Sequence, residues 1–304
     1  MDVQQLRCFL AVAEELHFGR AAERLHMTAS PVSRIVKELE RELGAPLFVR
    51  GYHQVELTPA GRALAARVPP LLDQLERARA EVRLIAAGEQ RAVHLGGSHF
   101  APPLVLDTVV DCAEKGNPGR PVEVTLAPSA DLLPAVSRGE LDAALVHLPV
   151  DDPAVASLSL ASYRFLVVMR RDDPLAGSPA LSVADLADRN VVLMPLSLQP
   201  LAMQRMRDDL ISRGLLRLRM LAGVDSAMLA AHVRRTGDLT FSLDPSTGGS
   251  ARMYDDPAFA VVPLTDFPQF RLGLVWLAER AADPVVRGVV EAVRTAWADG
   301  EWEI

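Results

Sequence analysis

Residues 18–50 read FGRAAERLHMTASPVSRIVKELERELGAPLFVR, and the spacing within this stretch predicts two short helices joined by a tight turn. Phe18, Ala21, Ala22 and Leu25 repeat at helical spacing, and the small alanines let a second helix pack close across a turn at His26 and Met27. Thr28 stands where it would cap that second helix. On it, Val32, Val36, Leu39 and Leu43 recur every three or four residues and so share a core-facing side. Ser30, Ser33, Arg34, Lys37 and Arg41 then fall on the opposite side. Short hydroxyls and basic groups, with no large apolar residue among them, suit a helix lying in the major groove of double-stranded DNA. Leu43-Gly44 ends the helix, and residues 46–50 and 55–57 predict a two-stranded ribbon around a turn at 51–54, a wing beside the reading helix. Upstream, Val3, Leu6, Phe9, Leu10 and Ala13 give an amphipathic helix that completes a three-helix core.

Charge adds little to this reading. Within residues 1–62, eight Lys/Arg face eight Asp/Glu, so the net charge of −7 belongs to the rest of the chain. Bulk polycation attraction to nucleic acid is therefore not expected; positive groups must be concentrated locally and dimerisation must add affinity. With 304 residues, 49% hydrophobic and 23% charged, the chain is long enough for two or three domains with real cores. There is no early apolar run of signal-peptide type and no long uninterrupted apolar stretch, so a cytoplasmic protein that does not span a membrane is expected. Cys8 and Cys112 are too few and too far apart for a disulfide scaffold or a metal framework and read as reduced structural thiols.

Thr58-Pro59 has the form of a helix start, a capping hydroxyl followed by proline in the first turn. The long helix that follows, to about Gly88, carries Leu64, Val68, Leu71, Leu75, Ala78, Val82 and Ile85 at alternating spacings of four and three, the seam of a coiled coil. The seam either dimerises two chains or packs against the chain's own domains; dimerisation is the reading taken. Pro69-Pro70 removes two amide donors and is expected to bend the helix upstream. From Ala92 onward, short apolar strands alternate with helices. Strands are expected near 93–96, 122–127, 143–147, 165–170, 191–194, 239–243, 261–264 and 272–277, and helices near 102–115, 130–138, 199–214, 226–235 and 284–298. Such alternation predicts mostly parallel sheets covered by helices, in two α/β lobes with a cleft between them.

These residues together resemble the LysR-type transcriptional regulators along the full length. The resemblance is carried by LRCFLAVAEELHFGRAAERLHMTASPVSR, LERELGAPLFVR and VELTPAG, then VHLGGS, GELDAALVHLP and VVMRRDDPLA. It implies a winged helix-turn-helix over residues 1–58, a dimerising linker helix over 59–90 and an effector-binding domain over 91–304, two-lobed and similar to type II periplasmic binding proteins. Lobe 1 is expected over about 91–161 plus 268–304, and lobe 2 over about 162–267. The resemblance also implies a homodimer or homotetramer, binding to promoter palindromes, and RNA polymerase among the partners. The chain departs from the family pattern at Thr28-Ala29, where Ser-Gln is common, at Ile35, where a glutamine is common, and at Gly19, where a hydroxyl is usual. The wing Gly51-Tyr52-His53-Gln54 lacks the usual arginines. Each lost bidentate base contact removes about 1–3 kcal/mol of discrimination. The residues expected at DNA are Ser30, Pro31, Ser33, Arg34 and Lys37, with Arg20 and Thr28 flanking them and Arg50 and His53 near phosphates.

For the effector, strand 93–96 runs into Gly97-Ser98-His99-Phe100 and a helix whose first turn holds Pro102 and Pro103. Glycines there would let backbone amides approach a ligand, and helix-start N–H groups would favour an anion such as a carboxylate. By position Ser98 matches the family's effector-contacting residue, and Ser129 is expected to face it across the cleft. From the other lobe come Leu196, Ser197 and Gln199, then Asp225, Ser226 and Ser242. For each serine alone, capping a helix is an equal alternative. Near His232 the run VRRTGDLTFSLDP replaces a glycine-rich apolar segment, and Phe100, Met203 and Phe241 suggest a partly apolar ligand. No metal-ligand histidine spacing, Gly-x-Ser-x-Gly elbow or phosphate-cradling loop speaks for an enzyme, and no cofactor is expected. A secreted solute-binding protein would fit the lobes alone but not the attached DNA reader. A regulator that acts without a ligand is the remaining alternative.

Overall fold

A computed structural model describes residues 1–50, 55–86, 90–221, 223, 225–267 and 269–303. The chain divides into two units, Met1–Glu89 and Gln90–Ile304.

In the first unit, α1 (Val3–Glu15) begins with a reciprocal cap: the Asp2 carboxylate accepts the Gln5 N–H and the Gln5 side chain accepts the Asp2 N–H, both at 2.8 Å. α2 (Phe18–Arg24) and α3 (Ala29–Leu43) follow, separated by a turn in which His26 takes a left-handed φ of 53°. Phe9, Val12, Ala21, Ala22, Val32, Val36 and Leu39 close a core between the three helices. Gly44, at φ 67°, ends α3. Leu43, expected on the core side, is 43% exposed, because the chain turns away at Gly44. The Glu40 carboxylate holds the next segment by accepting the N–H groups of Leu47 and Phe48, and β1 (Phe48–Arg50) pairs antiparallel with β2 (Val55–Leu57). Residues 51–54, and with them His53, lie outside the described residues, as do the side chains of Arg50 and Ile85.

α4 (Pro59–Ala86) starts as its sequence suggests, with the Thr58 hydroxyl accepting the Gly61 N–H at 2.9 Å and donating to the Pro46 carbonyl at 2.7 Å. It continues past Pro69 and Pro70 as one helix. The seam, however, is divided. Val68 is fully buried in the three-helix core, with Leu64 and Leu72 packed against the same cluster. Leu64 and Val68 are therefore corrected from dimer contacts to core residues of their own unit. Further along, Leu71 is 48% and Val82 66% exposed, Leu75 is half-buried and Ala78 is exposed.

The second unit has two lobes. Lobe 1 holds β3 (Val93–Ser98), α5 (Pro103–Gly116), β4 (Val122–Ala127), α6 (Ser129–Ser137), β5 (Ala143–Leu148) and β6 (Val155–Tyr163). Lobe 2 holds β7 (Leu166–Arg170), β8 (Val191–Leu193), α7 (Pro200–Ser212), β9 (Leu218–Met220), α8 (Ser226–Thr236), β10 (Thr240–Ser242) and β11 (Phe259–Pro263). The chain then returns to lobe 1 as β12 (Phe270–Leu277), α9 (Pro284–Ala296) and β13 (Trp302–Glu303). Lobe 1 is a six-stranded sheet in the order β13-β6-β12-β5-β3-β4. Its strands alternate sides: Ala143 and Leu145 face the cluster of α5 and α9, while Ala144 and Val146 face α6.

The sheets are mixed, not mostly parallel. β12 comes back from lobe 2 in the opposite direction and inserts antiparallel between β5 and β6, and β7 pairs antiparallel with both β10 and β11. Three strands fall outside the expected set: β6, β9 and β13. In β6 the serines 157, 159 and 162 dilute the apolar pattern, and the strand is secured by neighbours on both sides instead. Asp142, just before β5, anchors the lobe: its carboxylate accepts two bonds from the Arg91 guanidinium, one from Arg280 and one from the His94 N–H. Among the described residues no helix is long and apolar enough to cross a membrane.

Candidate functional site

Two surfaces carry chemistry, one in each unit. On α3, Ser30, Arg34, Lys37 and Arg41 are exposed, and Pro31 and Ser33 are half-buried. Among the described residues, Arg34, Lys37 and Arg41 make no ion pair, so three cations on one helix face stay available to an anion. The arginines of α2 differ. Arg20 is held by Glu15, through both the carboxylate and the Glu15 carbonyl, and Arg24 by Glu14. Thr28 occupies the cap position of α3 with extended backbone, but its hydroxyl makes no capping bond. It is exposed at the helix start, where phosphate oxygens are favoured.

The departure at Gly19 has a structural reason. The His17 ring caps α2, its Nδ1 accepting from the N–H groups of Gly19 at 3.1 Å and Arg20 at 3.2 Å. A Cβ on residue 19 would lie 2.9 Å from the ring, so a glycine is what lets the imidazole take over the cap.

In the second unit, a cavity of about 120 Å³ opens between the lobes. Ser98 at the end of β3, His147 in β5 and Gln199 at the start of α7 bring polar groups to it. Phe165, Phe241 and Phe270 bring rings. Of the residues expected at the effector, Ser98, Phe100, Gln199, Ser226 and Ser242 line the cavity. Ser129 reaches it indirectly, through His147. His99 and Ser197 are exposed and outside the lining, Leu196 packs into the core of lobe 2, and the Asp225 carboxylate caps α8 by accepting the Ala227 and Met228 N–H groups. These four are corrected from ligand contacts to surface, core and capping residues.

The centre of the polar end is His147, read from sequence only as a strand residue. Its Nδ1 lies 3.2 Å from the Ser98 hydroxyl and 3.4 Å from that of Ser129, and its backbone N–H donates to Ser129 Oγ at 3.2 Å. Burial pushes the imidazole down to about 4, so it is neutral near pH 7. A histidine three residues from the end of a sequence motif gives no signal of its own; only the pairing of β5 beside β3 places it opposite Ser98. Gln199 also acts differently from the expectation. Its side-chain amide donates to the carbonyls of His147, at 2.9 Å, and Pro149, at 2.8 Å, while its oxygen accepts the Ala202 N–H. It ties lobe 2 to lobe 1, and both its N–H groups are spent. Gly96 and Gly97 likewise serve packing and not ligand approach: a Cβ on Gly96 would lie 2.8 Å from Ala144, Leu132 and Leu141.

The profile described as the bacterial regulatory helix-turn-helix protein, lysR family, matches residues 3–62, and that of the LysR substrate binding domain matches residues 86–298. The chain is 31% identical over 297 residues to the HTH-type transcriptional regulator IlvR of Caulobacter vibrioides, covering 96% of this chain and 97% of that one. The chain belongs to the LysR family of transcriptional regulators. This LysR regulator is also 36% identical to XapR of Escherichia coli over 64% of its own length and 66% of XapR. It shares its fold with full-length CbnR bound to its target DNA, at a TM-score of 0.69 and 20% identity, over 97% of this chain and 100% of that one. Full-length BenM gives 0.54 at 22% identity, over 98% and 97%.

Proposed function

We propose that this LysR regulator reads promoter DNA with the exposed face of α3 and changes that reading when a small molecule occupies the cleft of the second unit. The observation that carries the first half is the set Arg34, Lys37 and Arg41 on one helix face, unpaired among the described residues, beside the exposed hydroxyls of Thr28 and Ser30. Arg34 and Ser30 are assigned to base edges, Lys37 and Thr28 to phosphates, and Pro31 and Ser33 to the same face. Arg50 and His53 belong to the wing side. Arg20, held by Glu15, is given a smaller part. Leu71, Leu75, Val82 and Ile85 are assigned to a linker contact between two chains. The oligomer is then a homodimer or homotetramer on a palindromic site, where RNA polymerase is also engaged. This places the protein in the cytoplasm.

The effector acts by binding one lobe arrangement more tightly than another, which shifts the spacing of the reading heads. The second unit binds and does not catalyse. Ser98 and Ser129 share the Nδ1 of a histidine that titrates at about 4, which makes a poor general base at neutral pH.

Fluorescence anisotropy of the full chain on the DNA upstream of its own gene, against scrambled DNA of equal length, tests the reading across a salt series. A preference of about a hundredfold or more is expected, within the range of specific binders. Equal affinity for every promoter fragment offered, in a genome-wide selection as well, overturns it.

A further inference from the structure

The cavity's wall says what kind of molecule it takes, given the reading of the cleft as the effector site. Among the described residues, no Lys, Arg, Asp or Glu side chain lines it. Its titratable groups are His147, Tyr163 and Tyr254, and burial drives all three toward their neutral forms.

The other source of positive potential would be helix-start amides, and at three of the helix starts around the cleft some of these are missing or taken. α5 opens with Pro102 at the cap and Pro103, neither of which has an N–H. α7 opens with Pro200, and the Gln199 side chain takes the Ala202 N–H. At α8 the Asp225 carboxylate takes the N–H groups of Ala227 and Met228. A carboxylate entering here would lose its water and meet no compensating charge.

Two of the polar wall groups are also occupied. Gln199 spends both N–H groups on His147 and Pro149, and the Thr240 hydroxyl donates to the Val192 carbonyl at 2.7 Å. The Ser98 and His147 pair is a neutral donor and acceptor at one end, and the other polar side chains of the wall, Ser226, Ser242, Ser250, Tyr163 and Tyr254, are neutral as well. The apolar part of the wall is built of Leu and Met side chains and a cluster of rings, in which Phe165 lies 5.3 Å from Phe270 and 6.0 Å from Phe241 between centroids. These rings sit where the chain crosses between lobes, Phe165 after β6 and Phe270 opening β12, so a body seated among them touches both lobes. The volume of about 120 Å³ is that of a one-ring occupant, since an apolar cavity of about 150 Å³ holds benzene.

We propose that the effector is an uncharged molecule with a single-ring apolar body, held among Phe165, Phe241 and Phe270, and a hydrogen-bonding head at Ser98 and His147. Uncharged ring amides and alcohols fit this description, and the matching carboxylates do not.

Isothermal titration of the full-length protein with benzamide and with benzoate, which share a shape and differ in charge, tests the proposal. Benzamide is expected to bind at least about tenfold more tightly than benzoate, a difference of about 1.4 kcal/mol. Ser250→Trp, which fills the cavity wall from a half-buried position, is expected to weaken benzamide at least about tenfold while leaving the melting temperature near that of the parent. Phe100→Arg, which supplies the missing cation, is expected to raise benzoate affinity. Benzoate binding as tightly as benzamide to the parent protein overturns the proposal. So does absence of binding by either at millimolar concentration, and so does benzamide binding unaffected by Ser250→Trp. Specific promoter binding together with benzoate preference would sink the ligand class and leave the regulator standing. Benzamide preference without specific DNA binding would do the reverse.

Discussion

Arg34 and Arg20 show how one residue type takes two roles a helix apart. Arg34 makes no ion pair among the described residues, whereas Arg20 is bound to Glu15. Arg34→Ala is therefore expected to weaken promoter binding by about 1–3 kcal/mol and to relax sequence preference, Lys37→Ala to lower the slope of log affinity against log salt by about 1, and Arg20→Ala to change either much less. Anisotropy at several salt concentrations separates them. His17 carries a second residue-scale consequence. Its ring replaces a hydroxyl as the cap of α2, so His17→Ala is expected to cost about 1 kcal/mol, seen as faster hydrogen exchange at the first amides of α2. Gln199 is a third case. Gln199→Leu keeps the volume but leaves the carbonyls of His147 and Pro149 without their donors, at about 1–3 kcal/mol, and a lower melting temperature of the second unit should report it.

At the scale of elements, α4 is one periodic seam with two fates. Val68 lies in the core of its own unit, whereas Val82 is 66% exposed. Val82→Glu is accordingly expected to shift the oligomer toward smaller species in analytical ultracentrifugation with the fold intact. Val68→Glu buries an unpaired charge and is expected to unfold the first unit. The periodicity of four and three was legible along the whole helix, but the point at which the seam leaves the core was not. That point depends on how far α1 extends alongside, which no spacing within α4 records. β6 shows the opposite gap. Its serines weaken the local pattern, and the strand exists because β12 and β13 pair on either side of it.

For the whole molecule, the buried His147 sets a pH dependence. Its pKa falls from the ordinary value of about 6.5 to about 4 because burial penalises the charged ring. The unfolded chain thus takes up this proton at a higher pH than the folded one. The contribution to stability is complete above about 6.5, declines as pH falls, and is lost below about 4, to an extent of about 3 kcal/mol. Melting temperatures of the second unit between pH 7 and pH 4 should fall accordingly, and His147→Gln should flatten that profile. Cys8 and Cys112 are buried and unpaired, and burial pushes both thiols up, as befits inert core residues.

The helix-turn-helix, its basic face and the succession of strands and helices were written in the sequence, because they depend on residues three, four or two apart, and such spacings are fixed by backbone geometry. Ser98 and Ser129 were legible too, as the ends of strands entering helices. The tertiary structure alone decided what the cleft can hold. Its wall is assembled from residues of both lobes, from Ser98 to Phe270, and its neutrality arises where Gln199, Asp225 and two prolines use up or lack the donors that each helix start would offer by itself. Each of these cancellations is local, two or three residues along the chain, but only the tertiary structure brings those helix starts together around one cavity whose wall carries no charged side chain among the described residues.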